Sequence, residues 1–291
     1  MLPAIVVLNY MTTKDTIEFV DSFQEFFKDF RLIIVDNGTP SELLFSLEQR
    51  ISGVRNISLY KTGRNLGFAN GNNAGIRIAL GEGHEYVVCS NNDVLFTDRD
   101  VLRVLKNDLD SYNAAVAGPR IINLLGNNQN PMCAKRPTEQ AIKKSLLYTS
   151  FAGMSLRKVF RNPKMKSAAK KILGLNSEAN EDNKIESQSG FTYALHGSFL
   201  MFGPRFFEHF SGFDPSTFLY GEELILAEML ISKNLRAFYD SSVQILHKED
   251  RTSDFLWGGQ AKLKPQLYAR KSHRIFAKWW KKNNEILGIT R

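Results

Sequence analysis

Polar side chains end an apolar run at positions 85–96, EYVVCSNNDVLF. The run stops at two amides and a carboxylate, Asn91, Asn92 and Asp93. Proteins usually hold Mg²⁺ or Mn²⁺ with one or two carboxylates together with the phosphates of a substrate. Asp93 could be such a ligand, with the amides orienting water. The alternative is that Asp93 forms a turn or caps a helix that begins near Asp98.

A second polar stretch, GRNLGFANGNNAGIRIAL, has a glycine at every fourth position from Gly63 to Gly75. Glycine lets backbone amides approach a ligand closely, and the N-terminus of a following helix favours an anion. Arg64 can bind two phosphate oxygens at once. The P-loop ending and the dinucleotide fingerprint are both missing from the sequence. The stretch therefore predicts a phosphate-binding loop, unless Gly67 and Gly71 serve close packing of a helix on a sheet.

Two adjacent carboxylates, Glu222 and Glu223, open a predicted helix, where the helix dipole stabilises negative charge. Adjacent helical residues point about 100° apart, so one carboxylate is expected to face a pocket. There it could act as general base towards a hydroxyl, and no Ser-His-Asp or Cys-His pattern competes for that role. His247 closes the run VQILH and is either a ligand for an ion such as Mn²⁺ or a structural histidine.

The elements that must position these residues alternate along the first 120 residues. Apolar runs predict five buried strands, AIVVLNY, RLIIVDN, NISLYKT, EYVVCSN and AAVAGPRI, and amphipathic stretches predict helices over 13–28, 41–50, 72–80 and 99–110. This alternation predicts an α/β fold with a Rossmann-like, mostly parallel central sheet flanked by helices. Ligands gather beyond the carboxyl ends of such strands. Polar residues follow four successive runs, so together they predict the rim of a pocket.

The rest of the chain is less regular. A basic segment over 127–188 predicts a helical insert. Strand-like runs return in YALHGSFLMFG and RAFYDSSVQILH, separated by the predicted helix EELILAEMLISKN, and the tail from position 266 is mostly helical.

The net charge of +8 is concentrated in two segments, because residues 135–171 and 262–291 together hold 20 Lys/Arg and 2 acidic residues. Apolar residues interleave the charge, which favours helices at an anionic membrane surface with Trp279 and Trp280 as anchors. Two solvated basic faces are the simpler alternative. No nucleic-acid module accompanies the charge. Without a long apolar segment or a signal peptide, we expect a cytoplasmic protein on the inner face of the membrane, with Cys89 and Cys133 as free thiols.

Taken together, VVLNY, IIVDNG, GRNLGFANGNNAGI, SNNDV, HGSFLMFGPRFFEHFSGFDPSTFLYGEELIL and ILH resemble the family 2 nucleotide-sugar glycosyltransferases with the GT-A fold. Within that family the chain is similar to the rhamnosyltransferase-like bacterial branch. The resemblance implies a nucleotide-sugar-binding half over 1–126, a basic helical insert over 127–188, an acceptor-binding half over 189–250 and a basic aromatic helical tail over 251–291.

The resemblance also implies roles for single residues. Asp36 would contact the base or ribose, and Arg64 with Asn65 would lie near the nucleotide and its phosphates. The metal-binding Asp-x-Asp corresponds to Asn91-Asn92-Asp93, and a histidine that binds metal in some members corresponds to His247. Further donor contacts are predicted at strand ends and in the glycine-rich stretch, at Asn9, Gly67 and Asn73.

Two departures from the family pattern matter. Asn91 replaces the first metal-motif aspartate, which leaves Asp93 as the principal ligand. The acidic pair, usually Glu-Asp, is Glu222-Glu223, with the second residue as the base.

The predicted function is an inverting, metal-dependent glycosyltransferase that uses Mg²⁺ or Mn²⁺ and a nucleoside-diphosphate sugar. Its acceptor would be a lipid-linked bacterial polysaccharide, and a homodimer through the aromatic tail is possible. The alternatives are a catalytically silent membrane-associated partner in polysaccharide assembly and a sugar-1-phosphate nucleotidyltransferase. The latter needs a Gly-rich basic loop after the first strand, where this chain has NYMTTKDT.

Overall fold

The structure is a computed structural model that describes residues 2–148, 188–248 and 263–288. Its elements in chain order are β1 (Ala4–Asn9), α1 (Thr13–Phe26), β2 (Arg31–Asp36), α2 (Ser41–Ile51), β3 (Ile57–Lys61), α3 (Phe68–Gly81), β4 (Val87–Asn91), β5 (Val94–Phe96), α4 (Val101–Ser111), β6 (Val116–Asn123), α5 (Glu139–Tyr148), β7 (Gly190–Thr192), β8 (Phe199–Phe202), α6 (Pro204–Phe207), α7 (Glu222–Ser232), β9 (Ala237–His247) and α8 (Leu263–Ile286).

One nine-stranded sheet runs through the described chain in the order β3-β2-β1-β4-β8-β6-β9-β5, and β7 pairs with β9. Strands β1 to β4, β6 and β9 point the same way, whereas β5, β7 and β8 are antiparallel to their neighbours. The predicted mostly parallel sheet is therefore confirmed. Because β4 pairs with β8, the predicted donor and acceptor halves share a single sheet.

Helices cover both faces of this sheet. Along β1, Ile5 and Val7 pack on the side of α1, α2 and α4, whereas Ala4 and Val6 pack on the side of α3, α7 and α8. Successive residues of a strand point to opposite faces, so a strand without polar alternation needs cover on both sides. The run AIVVLN thus specifies a three-layer α/β arrangement.

Helix α3 begins at Phe68, four residues before the predicted start. Gly67 precedes it with φ +83°, in the left-handed region that favours glycine. A Cβ at Gly75 would lie 2.2 Å from Val6 Cγ1, and Gly71 is also tightly packed against β1. Close packing of α3 on the sheet therefore explains Gly71 and Gly75.

The predicted insert and tail lie only partly within the described residues. Helix α5 forms part of the insert, while residues 149–187 lie outside the described chain, as do 251–262 of the tail. A β-bridge between Cys133 and Ala194 ties the start of the insert to the chain before β8. Among the helices of the described ranges, none is both long enough and apolar enough to cross a bilayer.

Trp279 and Trp280, the predicted membrane anchors, form hydrogen bonds inside the protein, which argues against that role. The indole N–H of Trp279 donates to Asp214 Oδ2 at 2.8 Å, and that of Trp280 donates to the carbonyl of Pro137 at 3.1 Å. Both rings are half-buried against the core. A buried indole N–H needs an acceptor, and these two find theirs inside the protein.

A buried carboxylate joins the elements around α8. Glu228 is fully buried and accepts two hydrogen bonds of 2.8 Å from the guanidinium of Arg136. Its carboxylate also accepts the hydroxyl proton of Tyr193 at 2.8 Å and the Asn283 amide at 2.7 Å. A buried ion pair offsets its desolvation only when further hydrogen bonds satisfy it, which is the arrangement found here.

We expect Glu228→Gln to lower the free energy of unfolding by about 2–4 kcal/mol, because it leaves a largely buried guanidinium uncompensated. Chemical denaturation measures this change. Arg103→Gln is the control, since its pair with Asp100 is exposed (63% and 59%) and should be worth less than about 1 kcal/mol. Equal losses for the two variants would contradict the role of the buried carboxylate.

Candidate active site

The end of β2 carries a rigid carboxylate. Asp36 accepts the Asn9 amide at 2.8 Å and the backbone N–H of Thr39 at 3.2 Å. Asn9 is fully buried and also accepts the Thr16 hydroxyl at 2.6 Å. The polar atoms of Asn9 are thus used inside the protein, and its role is to position Asp36. Contact of Asp36 with a base or ribose stays a prediction.

The loop before α3 is fixed to β2 by asparagine side chains. Asn37 donates to Asn65 Oδ1 and to the carbonyl of Gly67, both at 3.1 Å, and accepts the N–H of Leu66 at 2.8 Å. Gly67 therefore serves the shape of the loop. A Cβ there would lie 2.3 Å from the carbonyl of Phe218.

Arg64 borders an open cleft of about 450 Å³ beside this loop. The cleft is lined by Arg64, Asn65, Leu66, Asn70, Arg77 and Phe218. Arg64 and Arg77 are exposed and, among the described residues, have no ion pair. The sequence analysis missed Arg77, although it lies two helical turns after Asn70 on the same face of α3.

Two other residues that were predicted to contact the donor form hydrogen bonds inside the protein instead. Asn73 donates to the carbonyl of Phe213 at 2.9 Å and accepts its N–H at 2.8 Å, so both its polar atoms hold that loop. Asn92 donates to Thr12 Oγ1 at 2.8 Å and Thr16 Oγ1 at 2.9 Å, at the start of α1. This geometry favours positioning roles over direct contact with a ligand.

Asp93 and His247 meet because β5 pairs with β9 directly beyond Asp93. His247 Nε2 lies 3.3 Å from Asp93 Oδ1, a buried oxygen that accepts no hydrogen bond in the described chain. His247 Nδ1 lies 2.7 Å from Gln129 Oε1, and because an amide oxygen only accepts, Nδ1 is the donor in this contact. The Lys248 N–H donates to the Asp93 carbonyl at 2.9 Å. Helix α4 begins only at Val101, so Asp93 caps no helix.

Asp93 Oδ1 and His247 Nε2 lie close enough for one divalent cation to bind both atoms. A carboxylate oxygen and an imidazole nitrogen suit Mn²⁺ or Mg²⁺ with substrate phosphates completing the shell. Within the described ranges, no group of three or more His, Cys, Asp or Glu side chains could hold a metal ion. The half-buried Asn91 is next to this pair in the chain but contributes no charge.

The acidic pair lies in the first turn of α7, after Gly221 in the left-handed region. Burial, followed by the charge of Glu223, raises the pKa of Glu222 to about 7, and Glu222 Oε1 accepts no hydrogen bond in the described chain. Burial also raises the pKa of Glu223, against the effect of backbone N–H donors including that of Gly197. Glu223 contacts the 196–198 segment at Gly197.

The model of glycosyl transferase family 2 matches residues 4–168, more than half of the chain. The chain belongs to this family. A dTDP-rhamnosyl transferase, RfbF of Shigella flexneri, is 29% identical over 102 residues, which cover 35% of this chain and 33% of the relative. This match is in line with the expected resemblance to the rhamnosyltransferase-like branch. The family 2 chain thus spans about a third of the curated relative that it matches.

Solved structures confirm the GT-A fold. GalNAc-T7 with UDP, GalNAc and Mn²⁺ has a TM-score of 0.63 at 12% identity, covering 97% of this chain and 50% of that one. The mannosyltransferase PcManGT of Pyrobaculum calidifontis with GDP-Man and Mn²⁺ has a TM-score of 0.53 at 13% identity, covering 100% and 76%. S. aureus TarS 1–349 has a TM-score of 0.51 at 14% identity, covering 85% and 60%.

The family 2 site contains a second histidine that the sequence analysis missed. The ring of His196 lies 5.5 Å from that of His247, and its backbone N–H donates to Asn130 Oδ1 at 2.9 Å. Burial, together with His247, lowers the pKa of His196 to about 4. In the sequence, His196 lies inside the strand-like run YALHGSFLMFG. In the structure the first half of that run follows β7 as a loop and β8 begins only at Phe199, and the triplet His-Gly-Ser is the signal for this late start.

Gly197 connects this histidine to the acidic pair. A Cβ at Gly197 would lie 2.7 Å from Glu223 Oε1, so the carboxylate occupies the space that any other residue needs. The Asp93–His247 pair and Glu223 therefore both neighbour one three-residue segment, His196 to Ser198.

We expect Gly197→Ala to lower turnover at least about tenfold with little loss of stability, because only the mobile end of Glu223 must move. Steady-state kinetics and thermal unfolding on the same sample measure both effects. Gly190→Ala is the control, since a Cβ there meets nothing within 4 Å. Unchanged turnover in Gly197→Ala would show that the position of Glu223 does not matter.

Proposed function

We propose that this chain is an inverting glycosyltransferase that moves a sugar from a nucleoside-diphosphate sugar to a hydroxyl of a lipid-linked bacterial polysaccharide. The observation that carries the proposal is the placement of Glu223 beside Gly197 and of the Asp93–His247 pair beside His196, on neighbouring residues of one segment. This arrangement brings a carboxylate that can act as a base and a pair that could hold a cation into one site, which suits attack by a hydroxyl and departure of a diphosphate at one carbon.

Glu223 acts as the general base. Its carboxylate takes the proton of the acceptor hydroxyl while that oxygen bonds to the anomeric carbon. The bond from this carbon to the diphosphate breaks, and its electron pair leaves with the nucleoside diphosphate, which inverts the configuration. Burial raises the pKa of Glu223, and a higher pKa makes a carboxylate a better base.

The donor is held at the ends of β2 and β4. Asp36 binds the base or ribose, and Arg64 with Asn65 binds the nucleotide at the cleft, where Arg77 adds a second guanidinium. Asp93 and His247 would hold a divalent cation, which when bound offsets charge on the leaving diphosphate. The Mn²⁺ and nucleotide sugars named for GalNAc-T7 and PcManGT support this choice.

Helix α8 is the element that would bind the membrane in which the acceptor lies. Lys271, Arg274, Lys278 and Lys281 recur every three or four residues and are exposed, so they form one basic stripe. Exposed Ile286 lies at the end of the helix. This pattern suits the anionic inner face of the cytoplasmic membrane, where a lipid-linked acceptor lies. Homodimerisation stays a prediction.

We expect the protein with Mn²⁺ to hydrolyse slowly or transfer one sugar from a panel of nucleotide sugars, and Glu223→Gln to lose at least about a thousandfold of this turnover. Donor affinity, measured by calorimetry, should stay within about twofold because Glu223 does not contact the donor nucleotide. Glu222→Gln is the matched control and should keep most of the turnover. If the wild type binds the donor without any turnover, the alternative of a catalytically silent protein is favoured. Near-normal turnover of Glu223→Gln would contradict the assignment of Glu223 as the general base.

We expect replacement of Lys271, Arg274 and Lys278 by glutamine to weaken binding to vesicles containing phosphatidylglycerol about a hundredfold, at about 1 kcal/mol for each charge. Vesicle co-sedimentation measures the effect, with neutral phosphatidylcholine vesicles as reference. Replacement of the exposed Lys28, Arg55 and Lys233 by glutamine removes the same charge from other elements. Equal weakening by both triple variants would show that net charge, and not the α8 stripe, governs binding.

A further inference from the structure

Two neighbouring imidazoles in the site carry their protons on opposite nitrogens. His247 Nδ1 contacts Gln129 Oε1 at 2.7 Å, and an amide oxygen can only accept, so this nitrogen bears the proton. His196 Nδ1 instead faces the backbone N–H of Ser198 at 3.2 Å, which can only donate. The proton of neutral His196 must therefore be on Nε2.

The Ser198 side chain strengthens this assignment. Its hydroxyl lies 2.9 Å from His196 Nδ1 and can donate to the same lone pair. Ser198 is almost fully buried, and its carbonyl accepts the N–H of Asn91, so the segment cannot turn away easily. Moving the proton of His196 to Nδ1 would break the hydrogen bond from the Ser198 N–H.

The two rings therefore offer different groups to a ligand. His247 offers a lone pair on Nε2, next to Asp93 Oδ1, which suits a cation. His196 offers an N–H on Nε2, which has no hydrogen-bond partner among residues 2–148, 188–248 and 263–288, and an N–H suits an anion. This also explains why the second histidine does not complete a three-residue metal site.

We propose that His196 donates its Nε2–H to a phosphate oxygen of the donor's diphosphate, beside the cation held by Asp93 and His247. The proposal rests on the function proposed above. A neutral donor fixed by Ser198 needs no reorganisation as negative charge develops on the leaving group. Since Gly197 touches Glu223, the same segment also sets the distance between the leaving diphosphate and the base.

The binding experiment uses inorganic diphosphate with Mn²⁺, measured by calorimetry on the full chain. We expect His196→Ala to weaken diphosphate binding about ten- to a hundredfold, as for a hydrogen bond to a charged group. His196→Gln, whose amide can reach the position of Nε2, should recover part of the loss. His196→Asn, whose amide reaches only the position of Nδ1, should not.

Binding of Mn²⁺ alone, followed by electron paramagnetic resonance, separates this role from metal ligation. It should change less than about twofold in His196→Ala and fall strongly in His247→Ala, since loss of a ligand weakens a metal site by far more. Loss of Mn²⁺ binding in His196→Ala would overturn the proposal. Equal diphosphate binding by wild type and His196→Ala would overturn it while leaving the proposed function intact, whereas a wild type that binds no diphosphate would overturn both.

Nitrogen-15 spectra of labelled histidine test the proton positions directly, with the signals of the five histidines assigned from single His→Gln variants. We expect a protonated Nε2 in His196 and a protonated Nδ1 in His247. The same tautomer on both rings would overturn the proposal. The spectra of each variant also show whether it remains folded.

Discussion

Buried polar groups must find hydrogen-bond partners, and this constraint shapes the loops at the edge of the sheet where the candidate site lies. Asparagines meet it there: Asn9, Asn37, Asn73 and Asn92 bind loops and helix ends and thereby fix the chain after each strand. A few buried side-chain atoms remain without a partner in the described chain, and Asp93 Oδ1 and Glu222 Oε1 are among them. These four asparagines have hydrogen-bond partners, whereas Asp93 and Glu222 each keep a buried oxygen that is unpaired among the described residues. An unpaired buried carboxylate is costly without a ligand.

The acceptor side depends on a loop held from two directions. Residues 213–221 are bound on one side by α3, through Asn73 at Phe213 and Asn70 at Pro215. On the other side α8 binds them through Ser272 at Leu219 and Trp279 at Asp214. Because this loop leads directly into the acidic pair, α8 contributes to the position of Glu223 while its opposite face carries the basic stripe. The basic stripe and the loop before Glu223 are thus parts of one packed unit.

Much of the fold could be predicted from the sequence, because fully apolar runs such as AIVVLN require cover on both faces. The antiparallel direction of β8 could not be predicted, since the run FLMF is apolar throughout and strand pairing is decided by distant partners. The residue types that could form a site were predicted from the sequence, but the contacts of each side chain were not. A sequence does not distinguish an asparagine that binds a ligand from one that binds a loop, which explains the reading of Asn73 and Asn92. Nor does it distinguish a tryptophan that anchors a membrane from one with an internal acceptor.

A single carboxylate at the predicted cation site affects how the cation and the donor bind and leave. With Asn91 in place of an aspartate, the predicted site would supply one carboxylate and one imidazole to a divalent ion. Charge balance must then come mainly from the diphosphate, so cation and donor favour each other's binding. Coupling of this kind is reciprocal, and the cation should be released with the nucleoside diphosphate more readily than from a two-carboxylate site. In such a site a neutral N–H donor is well suited to bind phosphate, because it attracts the anion without repelling the cation beside it.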